Sequence, residues 1–186
     1  MPKRWMGWLV ASGVLLAGCS GAPVSYHTLV PVPMDQGARS QVRVERVSMP
    51  PQVDRPQLVV RQGSSGLAIL ETQWWGANLV DEFRSALQDQ LGGAAGGSAA
   101  STVRLDVQRF DSVPGQHALV DVRWRLQRAG AAQALTCRSI VQTPADNTVE
   151  SLVEAHQQNV RKLAELIARS DRPGQQACPA QGAIVP

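Results

Sequence analysis

The sequence predicts an α+β fold, a mostly antiparallel sheet with two amphipathic helices packed on one face. Three observations lead there. Short runs that alternate apolar and polar residues recur between Pro and Gly breaks, as in Val103-Arg104-Leu105-Asp106-Val107. Two longer stretches carry their apolar residues at helical spacing. The segments follow one another as β-β-β-β-α-β-β-β-α, which groups strands together instead of alternating each with a helix. At 186 residues with 44% hydrophobic and 18% charged residues, the chain suits one domain with a full core. That apolar fraction excludes wholesale disorder, and a mean hydropathy of -0.13 excludes a polytopic membrane protein.

The chain opens on a targeting signal. Lys3 and Arg4 supply a positive end, residues 8–16 an apolar run, and small residues follow. The run is too short to cross a bilayer, which takes about 20 residues. It ends Leu16-Ala17-Gly18-Cys19, the pattern of the bacterial lipobox, in which the Cys sulfur receives a diacylglyceryl group and cleavage occurs just before it. The competing reading is an ordinary secretory signal with a chance Cys; position, spacing and flanking composition favour the lipobox. Residues 1–18 are then the signal peptide, 19–25 a tether lipidated at Cys19, 26–170 the folded domain and 171–186 an irregular tail. Ser20, not Asp, follows the Cys, which predicts forwarding to the outer membrane and a domain on its periplasmic face. Acyl chains at about 0.8 kcal/mol per buried methylene would anchor it firmly. Loss of Lys3 and Arg4 lowers the formal net charge from +3 to +1, so nucleic acid is not an expected partner.

Tyr26 to Leu29 reads as a first strand, broken by Pro31 and Pro33. Gln41 to Val47 alternates and is stopped by Pro50-Pro51. Gln57 to Arg61 and Leu67 to Glu71 flank Gly63-Ser64-Ser65-Gly66 as a hairpin. Trp74-Trp75-Gly76 leads into a helix over 77–91. Leu79, Val80, Phe83, Leu87 and Leu91 form its apolar stripe, and Asp81, Glu82, Arg84 and Asp89 its solvent side. Gly92-Gly93 ends the helix, and 92–100 is a flexible loop by composition. Strands over 103–108, 120–126 and 134–142 make a meander with one dry and one charged face. A last helix spans about 148–169, with Asn147 and Glu150 placed to cap it. Its stripe is Val149, Leu152, Val153, His156, Val160, Leu163 and Ile167.

Candidate chemistry is sparse. The three His lack partners at metal spacing, and His156, on an apolar stripe, reads as a core or interface residue. The run Gly92 to Gly97 leaves a helix instead of opening one and lacks a following Lys, so it is no phosphate loop. Neither a Gly-x-Ser-x-Gly elbow nor a His-Glu-x-x-His motif occurs. No catalytic residue, metal or cofactor is expected, and nothing in these motifs supports an enzyme. Cys137 and Cys178, an even pair in an oxidising compartment, are expected to form a disulfide; two free thiols or a metal site are the alternatives, and neither Cys has a second ligand at metal spacing. Trp74 and Trp75 stand at a strand-to-helix junction, one expected beneath the helix and the other exposed; an exposed Trp in a loop is a common anchor for a partner, but the plainer reading without a surface role is favoured. Lys162 is the only Lys after the signal, so nearly all cations of the domain are Arg.

Several of these segments together resemble the PqiC/YmbA-type lipoproteins, the ABC-type transport auxiliary lipoprotein family. They are the lipobox, Tyr26-His27-Thr28-Leu29, Val53-Asp54-Arg55-Pro56-Gln57-Leu58-Val59, Trp74-Trp75 before a helix, Val107-Gln108-Arg109-Phe110-Asp111 and Val120-Asp121-Val122-Arg123-Trp124. The resemblance runs from about Cys19 to Ile167, with Asp-Arg-Pro-Gln its most specific piece. It departs from the family at Trp75-Gly76, where Trp-Ala before an acidic residue is common, and in the Cys pair. The resemblance implies a non-enzymatic outer-membrane lipoprotein and accessory subunit of an intermembrane lipid transport system. It implies as partners a periplasmic tunnel protein built of mammalian-cell-entry (MCE) domains and further copies of the chain in a homo-oligomeric ring. The candidate partner-binding residues are Asp54, Arg55, Pro56, Trp74 and Trp75, against the plainer reading that Asp54 and Arg55 brace a turn whose φ Pro56 sets. A single-lipid carrier would instead need an apolar cavity of roughly 300 Å³ or more, and a periplasmic hydrolase paired carboxylates in a cleft.

Overall fold

The computed structural model describes residues 21–31, 40–92, 101–128, 130–175 and 177–179. Cys19 and the glycine-rich loop beyond Gly92 lie outside them. The elements are β1 (Ser25–His27), β2 (Val42–Ser48), β3 (Gln57–Gln62), β4 (Gly66–Trp75), α1 (Leu79–Gln90), β5 (Ser101–Val113), β6 (His117–Arg128), β7 (Leu135–Pro144) and α2 (Val149–Ser170). The fold is α+β, as expected, but its strands form two sheets instead of one. A three-stranded sheet has the order β1-β4-β3 and a four-stranded sheet the order β2-β5-β6-β7. Each begins with a parallel pair, β1 with β4 and β2 with β5, and is otherwise antiparallel. Alternation reports which face of a strand is dry, not which strand lies beside it, so this split was not readable from the pattern.

Val103, Leu105 and Val107 of β5, with Val120, Val122, Trp124 and Leu126 of β6, form the dry face of the large sheet. Phe83 and Leu87 of α1 and Val160, Leu163 and Ile167 of α2 belong to the same core. The small sheet is seated by a second cluster, in which Val60 of β3 meets Ala118, Ala145, Leu152 and Ala155, with Ala68 and Leu70 of β4 against them. The small side chains of Ala118, Ala145, Ala155 and Ala68 let the elements pack closely there. On the ionic side, Asp111 of β5 accepts from Arg61 Nε of β3 at 2.9 Å and from Arg109 Nε at 2.9 Å and Nη2 at 2.6 Å, tying the small sheet to the large one.

Helix ends depart from the sequence reading in two places. Thr148, not Asn147, caps α2, its hydroxyl accepting from the Ser151 N–H at 3.1 Å. Glu82 was expected on the solvent side of α1 but is buried, accepting from the Thr28 hydroxyl at 2.8 Å and the Leu29 N–H at 2.9 Å. A carboxylate holding two donors satisfies the end of β1 where a purely apolar stripe could not. Gly92 stops α1 with a φ of 92°, conformational space that favours glycine.

His156 is fully enclosed, its ring stacked on Phe110 at 3.8 Å with an interplanar angle of 6°. Burial pushes its pKa from the ordinary 6.5 down to about 3. Below about pH 6.5 the unfolded chain takes a proton that the folded chain refuses until about pH 3. Stability is therefore full above about pH 6.5 and falls by about 1.4 kcal/mol per pH unit as the pH drops through that window. Urea unfolding is expected to show a loss of about 2 kcal/mol between about pH 7 and about pH 5, and His156→Phe should flatten that slope. A slope unchanged by the substitution would remove His156 as its origin.

Candidate functional site

The Asp54-Arg55-Pro56 turn is built by its own backbone. Pro50 O accepts from the N–H groups of Val53 at 3.0 Å and Asp54 at 3.1 Å, and Val53 O accepts from Arg55 N–H at 2.8 Å. Val53 is buried beneath, Asp54 is exposed, and Arg55 and Pro56 are half-buried. The Pro56 carbonyl then accepts from the Trp75 N–H at 2.7 Å. The two sequence motifs singled out above, far apart along the chain, are thus joined by one hydrogen bond.

The tryptophans divide as an alternating strand end requires. Trp75 is 3% exposed and packs edge-to-face on Phe110 at 6.3 Å, so it is removed from the candidate surface residues. Trp74 is half-buried and donates its Nε1 to Glu71 O at 2.8 Å. Tyr26, opposite it in register on β1 and 68% exposed, meets its ring edge-to-face at 6.4 Å. Along β3, Gln57, Val59 and Arg61 share a face by alternation, and their partners on β4 are Trp74, Ile69 and Leu67. Ile69 and Leu67 are 41% and 44% exposed. Tyr26, Trp74, Ile69 and Leu67 therefore form an apolar strip along β1 and β4, interrupted by the exposed Glu71 and bounded at one end by the Asp54 turn. Sequence reasoning missed Tyr26, Leu67 and Ile69, which read as ordinary strand residues; the strand pairing that aligns them left no trace in the sequence.

Cys137 and Cys178 lie elsewhere, on β7 and in the tail, joined with their Cα atoms 5.6 Å apart. Cys137 is buried and Cys178 exposed. Beside them the Arg128 guanidinium donates to Ser170 O and to Gln175 O, holding the tail along the sheet edge. On β6, Asp121 accepts from Arg138 Nε at 2.9 Å and Nη2 at 2.6 Å, and this pairing holds its carboxyl below the usual range. Burial lowers the pKa of Lys162, whose ammonium donates to Gln142 O and Thr143 Oγ1.

One pair carries the atoms of a hydrolytic dyad: Ser112 Oγ lies 2.9 Å from His156 Nε2. Both residues are buried, and His156 Nδ1 has no hydrogen-bond partner, so no carboxylate orients the ring. With a pKa near 3 this imidazole is a poor base at neutral pH. Among the described residues no group of three His, Cys, Asp or Glu is placed to hold a metal ion, and no helix is long and apolar enough to cross a membrane. A depression of about 360 Å³ is lined by Glu45, Thr102, Arg104, Arg125 and Gln127, a polar wall unsuited to an acyl chain. A smaller one of about 20 Å³ sits between Val53, Val59, Leu67 and Phe110.

Comparison with known proteins agrees with this architecture. A crystal structure of an uncharacterized protein superposes with a TM-score of 0.64 at 19% identity, over 80% of this chain and 99% of its own. A DUF330 protein from Xanthomonas campestris superposes with a TM-score of 0.59, also at 19% identity, over 83% of this chain and 96% of its own. At such identities the likeness is one of fold. No curated protein matches the sequence. The profile of the family described as "ABC-type transport auxiliary lipoprotein component" matches residues 28–168, from the end of β1 nearly to the end of α2, and the chain belongs to that family.

Proposed function

We propose that the protein is an outer-membrane lipoprotein, anchored through Cys19 on the periplasmic face, that serves an MCE-type intermembrane lipid transport system as a non-catalytic docking subunit. The observation that carries this reading is the apolar strip of Tyr26, Trp74, Ile69 and Leu67 beside the Asp54-Arg55-Pro56 turn, on a chain of the auxiliary lipoprotein family. Exposed aromatics ringed by polar groups are what a partner-binding patch needs. Arg55, half-buried in the turn, stands beside the strip. The occupant of this patch is the MCE-domain tunnel protein, with further copies of the chain completing a ring around it.

Two measurements test the proposal. Wild-type protein should fractionate with the outer membrane, and Cys19→Ser should release a folded domain, since the core begins beyond the tether; a variant that stays on the membrane through a high-salt wash would sink the anchor. Trp74→Ala should weaken binding to a purified MCE-domain partner by about 30-fold, as removal of a central aromatic anchor worth about 2 kcal/mol does. Unchanged affinity would take the strip out of the interface.

A further inference from the structure

The face of the four-stranded sheet turned away from the helices carries arginines in register. Arg46 of β2 pairs with Arg104 of β5, which pairs with Arg125 of β6. The next row on that face runs Ser48, Asp106, Arg123 and Arg138. All five arginines are exposed. Neighbouring strands lie about 4.8 Å apart, so the first row sets three guanidinium side chains within about 10 Å. Like charges directly opposite one another destabilise a sheet. Glu45 answers Arg104 at 2.5 Å and Asp121 answers Arg138, yet the rows keep a positive excess.

Arginine presents a planar fork that matches phosphate oxygens. Thr136 continues the first row onto β7, and Thr102 and Gln127 pair in the row outside it, so the exposed side chains of this face are polar or charged and give no apolar centre of the sort that a protein interface is built around. It is instead a broad cationic surface, and electrostatic adsorption to headgroups needs no such centre. Five residues separate Cys19 from Ser25, a tether that keeps the domain within about 20 Å of its anchor. We propose that this sheet face rests on the anionic phospholipid headgroups of the membrane that holds the Cys19 anchor, leaving the apolar strip of the small sheet for the protein partner. The inference rests on the lipoprotein reading above.

The test uses the full chain carrying Cys19→Ser, so that no acyl chain contributes, sedimented with vesicles of phosphatidylcholine alone or with about 30% phosphatidylglycerol. Retention is expected on the phosphatidylglycerol vesicles only, and it should disappear near 0.5 M salt, where screening shortens to about 4 Å. Each arginine near the surface is worth about fivefold in binding, so Arg46→Gln, Arg104→Gln and Arg125→Gln together should weaken it about 100-fold. Lys3 and Arg4 are common to both proteins and cancel from the comparison. The triple variant relieves like-charge contacts and should melt no lower than its parent; if it does, Arg125→Gln alone, with an expected fivefold loss, takes its place. Equal retention on both vesicles, or binding indifferent to the substitutions, overturns the proposal. So does retention on immobilised polyglutamate without retention on vesicles, which would give the face to an acidic protein. The mass of the wild-type mature N-terminus judges the anchor separately: an unacylated Cys19 sinks the lipoprotein reading, whereas the vesicle results sink only the sheet face.

Discussion

Replacing Phe110 with Ala is expected to cost about 3–5 kcal/mol of stability, lowering the melting temperature by about 10–15 °C. Phe110 is 4% exposed and touches three other elements at once. Its ring stacks on His156 of α2 at 3.8 Å and meets Trp75 of β4 at 6.3 Å and Phe83 of α1 at 6.4 Å, both edge-to-face. Truncation would open a void where both helices and both sheets converge, and four rigid elements cannot all move to close it. Phe110→Leu, which keeps most of the volume, should lose only about 1–1.5 kcal/mol. Urea unfolding of the two variants decides the matter: a loss below about 1 kcal/mol for Ala would show that the aromatic cluster is not the keystone described above.

Reduction of the Cys137–Cys178 bridge is the second large effect. The bond closes a loop with a sequence separation of 41, for which the chain-entropy estimate is about 4 kcal/mol. That loop contains all of α2, so the cross-link confines the unfolded chain over the segment that supplies much of the core. The native tail keeps other ties after reduction, since Arg128 still grips Ser170 O and Gln175 O and Ser101 Oγ still donates to Asp171 Oδ1 at 2.5 Å. The loss should therefore show as a lower unfolding midpoint with little change in the native spectrum. Cys178 is exposed, so dithiothreitol reaches the bond without prior unfolding. Equal midpoints for oxidised and reduced protein, or thiol labelling of Cys137 in denatured, unreduced protein, would reject the bridge.

Element positions were largely legible because they follow from periodicity. The strands and helices expected from alternation and from stripes at helical spacing occur in the structure with ends shifted by a few residues. Some strands run on past their alternating stretch: β5 is expected over 103–108 but spans Ser101–Val113. The cause is a bulge in its pairing with β6 between Val107 and Arg109. Val103, Leu105 and Val107 point inward by strict alternation, and one extra residue at Gln108 resets the phase so that Phe110 also points inward. A reader of the pattern sees the alternation fail and ends the strand too soon. A similar irregularity between Gln57 and Leu58 brings Trp74 into line with Ile69 and so assembles the candidate strip.

The sequence by itself determined the domain's class, its helices and strands, its anchor motif and the family resemblance later matched over residues 28–168, because all of these reside in local order: spacing, composition and short motifs. Only the tertiary structure decided that there are two sheets, that Glu82 belongs inside, that Trp75 is buried while Trp74 is at the surface, and that the Asp54 turn, Tyr26 and Trp74 share one edge of the molecule. It also decided that arginines from three strands stand in one row. Each of these depends on which strand pairs with which and in what register. Strand pairing is a non-local choice, set by how well whole faces bury together, and a period of two records a face without naming its neighbour.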